Sequence, residues 1–95
     1  MEVELRTDGD WRTTKIFVDG TELECVKRAR ISFNGVHMAT IEAGKLVKGN
    51  VRYIPYATVD IDRYDSRDGH VLRVGDDPVI IHETFEKVSI VPLES

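Results

Sequence analysis

Apolar and polar residues alternate with a period of two from Lys15 to Glu42, and the alternation is punctuated by Asp19-Gly20 and Asn34-Gly35. Period two sends successive side chains to opposite faces of a strand. Asp-Gly and Asn-Gly reach the positive φ that a type I′ turn needs at both central positions, so the segment predicts two successive β-hairpins. A two-residue loop at Asp19-Gly20 sets Val18 opposite Thr21, Ile16 opposite Leu23 and Thr14 opposite Cys25, and this row faces the core. On the reverse face Phe17 meets Glu22 and Lys15 meets Glu24, a cross-strand charge pair worth roughly 0.2–1 kcal/mol. A slip of one residue would turn Ile16 and Leu23 outward, so the register is doubly specified. The same arithmetic at Asn34-Gly35 sets Phe33 opposite Val36, Ile31 opposite Met38, Ala29 opposite Thr40 and Lys27 opposite Glu42. Leu23, Cys25, Ala29, Ile31 and Phe33 share odd parity. Thr21 to Phe33 is therefore either one long bent strand or two strands joined at a corner near Val26-Lys27.

Beyond the hairpins, Val51 to Ile54 reads as a short strand stopped by Pro55, which cannot donate to a ladder. Ala57, Val59 and Ile61 alternate with Thr58, Asp60 and Asp62. The polar loop Asp65 to Gly69 leads to His70-Val71-Leu72-Arg73-Val74, a turn at Asp76-Asp77-Pro78 leads to Val79 to His82, and Val88 to Leu93 forms the last strand. No segment of ten or more residues has helical apolar spacing. The pattern predicts a single all-β domain over residues 1–95, an antiparallel β-sandwich or partly open barrel of about eight short strands. A chain of 95 residues has room for one core and little else.

Composition narrows the function classes. At 41% hydrophobic and 32% charged residues, the chain has too many apolar and aromatic side chains for intrinsic disorder. No apolar run approaches the ~20 residues of a membrane-spanning helix, and Met1 to Arg6 lacks the basic start and apolar block of a secretory signal. A cytoplasmic or virion-associated location is expected. One cysteine, Cys25, excludes an internal disulfide framework, and its place in the core-facing row makes it a small hydrophobe. A net charge of −4 argues against nucleic acid, because phosphate contacts dominate nonspecific affinity. Asp60, Asp62, Asp65 and Asp68 invite a calcium reading, but the order of ligands is not that of an EF-hand and the closing glutamate is absent. His37, His70 and His82 form no close-spaced ligand pair, and neither a nucleophile elbow nor a phosphate-binding glycine loop is present. No metal, cofactor or catalytic residue is expected.

The more informative surface is the reverse face of the second hairpin, where Val26, Arg28, Arg30 and Ser32 accompany His37, Ala39, Ile41 and Ala43. Arginine stems among small apolar residues have the composition of an interface, and Arg28, Arg30, His37 and Ile41 are the candidate partner-binding residues. Trp11, Tyr53, Tyr56 and Tyr64 are further candidate anchors. The run Val18-Asp19-Gly20-Thr21-Glu22-Leu23, followed by Val26, Ala29 and Ile31 and then by Ala39-Thr40-Ile41-Glu42, resembles small phage-encoded β proteins of tails, baseplates and virion accessories. The resemblance implies a β-sandwich subunit that works through protein contacts in an oligomer, and it supplies no catalytic residue. The expected function is a noncatalytic protein-binding or assembly module with a protein partner or second copy, and no membrane or nucleic acid. The alternatives are a small acidic inhibitor that blocks another protein and a ligand- or carbohydrate-binding β-sandwich using Asp60 to Asp68.

Overall fold

Among the described residues four Xaa-Gly pairs take positive φ at both residues: Asp19-Gly20, Asn34-Gly35, Ala43-Gly44 and Asp68-Gly69. Each reverses the chain tightly and aligns its flanking strands with their natural twist. The computed structural model describes residues 1–8 and 12–93, and it is all-β, with no helix. Its strands are β1 (Val3–Thr7), β2 (Thr14–Val18), β3 (Thr21–Glu22), β4 (Val26–Phe33), β5 (Val36–Glu42), β6 (Lys45–Gly49), β7 (Ala57–Tyr64), β8 (Ser66–Arg67), β9 (His70–Val71), β10 (Arg73–Val74), β11 (Asp77–Pro78) and β12 (Ile80–Pro92). Eight of them form one sheet in the order β3-β2-β1-β12-β7-β4-β5-β6, while β8–β9 and β10–β11 are small separate ribbons. The large sheet curls into a half-barrel. All its neighbours are antiparallel except β1 and β12, which run parallel with Leu5 beside Ile90.

The concave side holds the core. Leu5, Ile31, Ile61, Ile90, Val59 and Val88 are fully buried there, joined by Val3, Ile16, Ala29, Ala39, Ile41, Ala57 and Phe85. A fully buried Ile or Leu side chain contributes about 1.5–3 kcal/mol, so this one layer carries the fold. Thr7 is the buried polar member, and its hydroxyl is satisfied by donating to the Asp8 carbonyl and accepting from Thr14 Oγ1, each at 3.2 Å. The curl brings the β5–β6 turn against β2, where a Cβ at Gly44 would lie 3.5 Å from the Thr14 carbonyl oxygen.

The first hairpin keeps its expected register, with Phe17 opposite Glu22 and Val18 opposite Thr21. Lys15, however, pairs with Glu22 at 3.6 Å rather than with Glu24, because β3 ends at Glu22. The corner falls at Cys25, which takes φ +61 and is exposed. Its carbonyl accepts from Tyr64 N at 2.9 Å. The residue is thus the hinge between β3 and β4 and not a member of the core row.

In the second hairpin Phe33 faces Val36 and Ser32 faces His37, but a bulge then makes Met38 the extra residue. A bulge sets two residues against one and shifts all later pairs. Ile31 therefore meets Ala39, Ala29 meets Ile41 and Arg28 meets Glu42, in place of Met38, Thr40 and the Lys27–Glu42 pair. A second bulge in β12, with Lys87 at φ +58, joins what reads as two strands into one of 13 residues. Residues 50–56 form no strand. They cross from the edge strand β6 to β7 past the ends of β4 and β5, with Ile54 O accepting from Ile90 N at 2.9 Å and Pro55 O from Ser89 Oγ at 3.0 Å. Val51 and Ile54 pack on the core from this crossing.

Candidate functional site

The bulge at Met38 decides what the outer face of the second hairpin presents. Beyond it Ala39 and Ile41 turn inward, and Ile41 is only 3% exposed. Ile41 therefore belongs to the core and shares no surface with Arg28 and Arg30. The convex face instead carries polar rows that run across strands. One row is His82–Asp62–Arg28–Glu42–Lys45, through β12, β7, β4, β5 and β6, and the next is Thr84–Asp60–Arg30–Thr40–Lys48. Within the rows Arg28 Nε donates to Glu42 Oε1 at 3.0 Å, Thr84 Oγ1 donates to Asp60 Oδ1 at 2.6 Å, and His82 Nδ1 contacts Asp62 Oδ1. His37 lies nearer the hairpin tip, its Nε2 2.9 Å from Thr40 Oγ1. Opposite charges directly across a sheet attract, so Arg28 and Arg30 stand in a polar ladder rather than beside an exposed Ile41.

Asp60 and Asp62 are thus engaged by Thr84 and His82, and Asp65 and Asp68 do not join them. Among the described residues no group of three or more His, Cys, Asp or Glu side chains is placed to hold a metal ion. No buried side-chain nitrogen or oxygen among them lacks a hydrogen-bond partner either.

The apolar surface gathers at the end of the half-barrel where the 50–56 crossing meets the tip of the β4–β5 hairpin. Phe33 is 42% exposed and Val36 69%, because these residues flank the Asn34-Gly35 turn beyond the reach of the core. With Asn34, His37 and Met38 they form one wall of a groove of about 640 Å³ whose other wall is Lys48, Gly49, Asn50, Arg52 and Ile54. That volume suits a side chain or small ligand. Val47, Tyr53 and Tyr56 are exposed large side chains from the same chain segment. Lys48, Arg52 and His37 line the groove, and among the described residues no carboxylate does, although the chain as a whole carries net charge −4. The groove is therefore a local cationic, apolar surface on an acidic domain.

Gly49 makes the groove possible. It takes φ +85, and a Cβ there would run into the Met38 carbonyl oxygen and lie 2.9 Å from Ala39 Cα. Asn50 N donates to that same carbonyl at 3.1 Å. The bare glycine lets the chain leave β6 against the bulge and carry Arg52 and Ile54 under the hairpin tip.

A second, narrower cleft of about 470 Å³ follows the seam where β2 and β3 approach the β5–β6 turn, with Leu23, Cys25 and Val26 along it. Its deepest residues, Ile16, Ala29 and Ile41, are core members already buried in the chain. Of the sequence candidates, His37 alone lines the groove. Arg28 and Arg30 stand on the ladder, Ile41 is internal, Tyr64 is half-buried, and Trp11 lies outside the described residues. Phe33, Val36, Lys48, Arg52 and Ile54 escaped the sequence reading. For Phe33 and Val36 a signal exists, namely large apolar residues immediately beside a tight polar turn. No family of proteins, no characterised relative and no solved structure matches the chain. Among the described residues no helix is long and apolar enough to cross a membrane.

Proposed function

We propose that the chain is a noncatalytic protein-binding module whose partner docks at the groove between the β4–β5 hairpin tip and residues 48–54. The observation that carries this reading is the exposure of Phe33 and Val36 together, beside a cationic wall, on a domain whose remaining apolar residues largely serve one core. Exposed apolar surface with a polar rim marks interaction sites. Among the described residues the lining holds one histidine, bonded to Thr40, and no carboxylate or thiol, which favours binding over acid–base or nucleophilic chemistry at the groove. Assembly onto another virion subunit is the form of this reading that the sequence resemblance suggests. The test is selection of peptide binders from a random displayed library, followed by comparison of the parent with Val36→Asp. Val36 is a turn-flanking exposed residue, so the substitution leaves the fold intact. Binders that lose affinity for Val36→Asp support the reading, and a set that binds the variant as well as the parent defeats it.

A further inference from the structure

The charge ladder on the convex face stops in the wrong place for a finished sheet. Along its first row the charges run Asp62, Arg28, Glu42, Lys45, alternating strand by strand, and β6 is the last strand of the sheet, so among the described residues no strand pairs beyond Lys45. In the second row Lys48 closes Thr40 and has no acid on either side. Among the described residues neither lysine has an ion-pair partner, since the Glu42 carboxylate is committed to Arg28 at 3.0 Å. β6 is exposed at all but one of its positions, Leu46, and its outer backbone edge carries the unpaired N–H and C=O groups of any terminal strand. The opposite edge, β3, has two residues, too few to seat a strand.

Val47 is the extra residue of a bulge in β6, so Lys45 and Lys48 stand on one face in adjacent rows, and from this we infer that β6 receives an extended, acidic segment of another protein as a ninth strand, with carboxylates on one face of that segment set against Lys45 and Lys48. This rests on the groove reading and specifies its partner, because Lys48 and Gly49 are both the end of β6 and part of the groove wall. Main-chain bonds to the edge supply affinity, the two lysines choose charge, and the apolar groove takes a side chain where the segment leaves β6. A second copy of this chain is disfavoured by the same lysines. Edge-to-edge pairing of two β6 strands would bring Lys45 and Lys48 of both copies together, the use of edge lysine that keeps sheets from self-pairing. Nucleic acid would satisfy the cations but makes no use of a strand edge.

The experiment titrates the full chain with three labelled probes, followed by fluorescence anisotropy: a nonapeptide alternating glutamate with valine, the same peptide with lysine for glutamate, and an oligothymidylate. The acidic peptide is expected to bind at least about tenfold more tightly than the basic one, the double variant Lys45→Glu/Lys48→Glu to reverse that order, and N-methylation of alternate peptide amides to abolish binding. Backbone amides of Lys45 to Gly49 should gain protection from hydrogen exchange in the complex. Equal binding of both peptides that Val36→Asp still abolishes would overturn the acidic-strand inference while leaving the groove reading standing. No binding of the acidic peptide, tighter binding of oligothymidylate, or concentration-dependent dimerisation through β6 would each overturn it as well.

Discussion

Replacing Gly49 by alanine tests the local architecture on which the groove depends, and Gly35→Ala is its internal control. Both glycines have positive φ, +85 at Gly49 and +78 at Gly35, so both substitutions carry the left-handed penalty of roughly 1–2 kcal/mol for a residue with a Cβ. They differ in surroundings. A Cβ at Gly35 has nothing within 4 Å, whereas one at Gly49 collides with the backbone of Met38 and lies 2.9 Å from Ala39 Cα. Backbone cannot swing aside as a side chain does. Relieving the collision breaks the Asn50 N to Met38 O bond of 3.1 Å and disturbs the Ala39–Gly49 pairing. Losing such a bond and leaving a carbonyl unpaired adds about 1–3 kcal/mol. Gly49→Ala should therefore cost about 3 kcal/mol or more and Gly35→Ala about 1 kcal/mol, the difference being the collision. Urea unfolding followed by circular dichroism reads both. With a slope of about 1.5 kcal/mol/M the midpoints should fall by roughly 2 M and 0.7 M. Equal midpoints for the two variants would refute the close approach, and with it the account of how residues 50–54 reach the hairpin tip.

Ile41→Asp should unfold the domain or lower its melting temperature drastically, since an unpaired carboxylate in the core costs several kcal/mol; a stable variant with parental melting would place Ile41 outside the core after all. Val36→Asp should shift stability by no more than about 0.5 kcal/mol, checked in the same melt. Ala43→Gly should raise the urea midpoint, because Ala43 sits at φ +49 and the change removes a strain of about 1 kcal/mol. Thr7→Val should lower stability by about 1 kcal/mol through loss of the Thr7 hydroxyl's bonds to Thr14 and to the Asp8 carbonyl, and the effect should be smaller when Thr14 is already valine, because the bond to the Asp8 carbonyl is then the one left to lose. Millimolar calcium should leave the melting temperature unchanged, because Asp60 and Asp62 already spend oxygens on Thr84 and His82 and only an ion bound by the folded state would raise it.

The turn dipeptides made the local hairpins legible, and Asp19-Gly20 and Asn34-Gly35 sit at the expected positive φ. Ala43-Gly44 makes the same kind of turn but hides it, because alanine has no side-chain or conformational preference for that backbone. Missing that turn also hid β6, and with it the sheet edge. The bulge at Met38 was hidden differently. Ile31, Met38, Ala39 and Ile41 are all apolar, so either parity gives an apolar row, and the choice is settled by which side chains the rest of the core must meet. That one-residue shift removed Ile41 from the surface and turned a mixed face into a ladder. Lys87 conceals the continuity of β12 in the same way, since a charged residue between Phe85 and Val88 reads as a loop. The groove needs a crossing segment packed under a hairpin tip, and the β1–β12 pair joins the two ends of the chain. Neither contact leaves a local trace in the sequence.

Backbone amide chemical shifts of the isotopically labelled chain, recorded as a selected peptide binder is added, test the docking surface most directly. The account expects the perturbed amides to form one patch over residues 33–38 and 45–54, with the convex ladder around Asp62 and Arg28 unchanged. Shifts centred on that ladder, or on the seam around Leu23 and Gly44 with residues 33–38 silent, would contradict it.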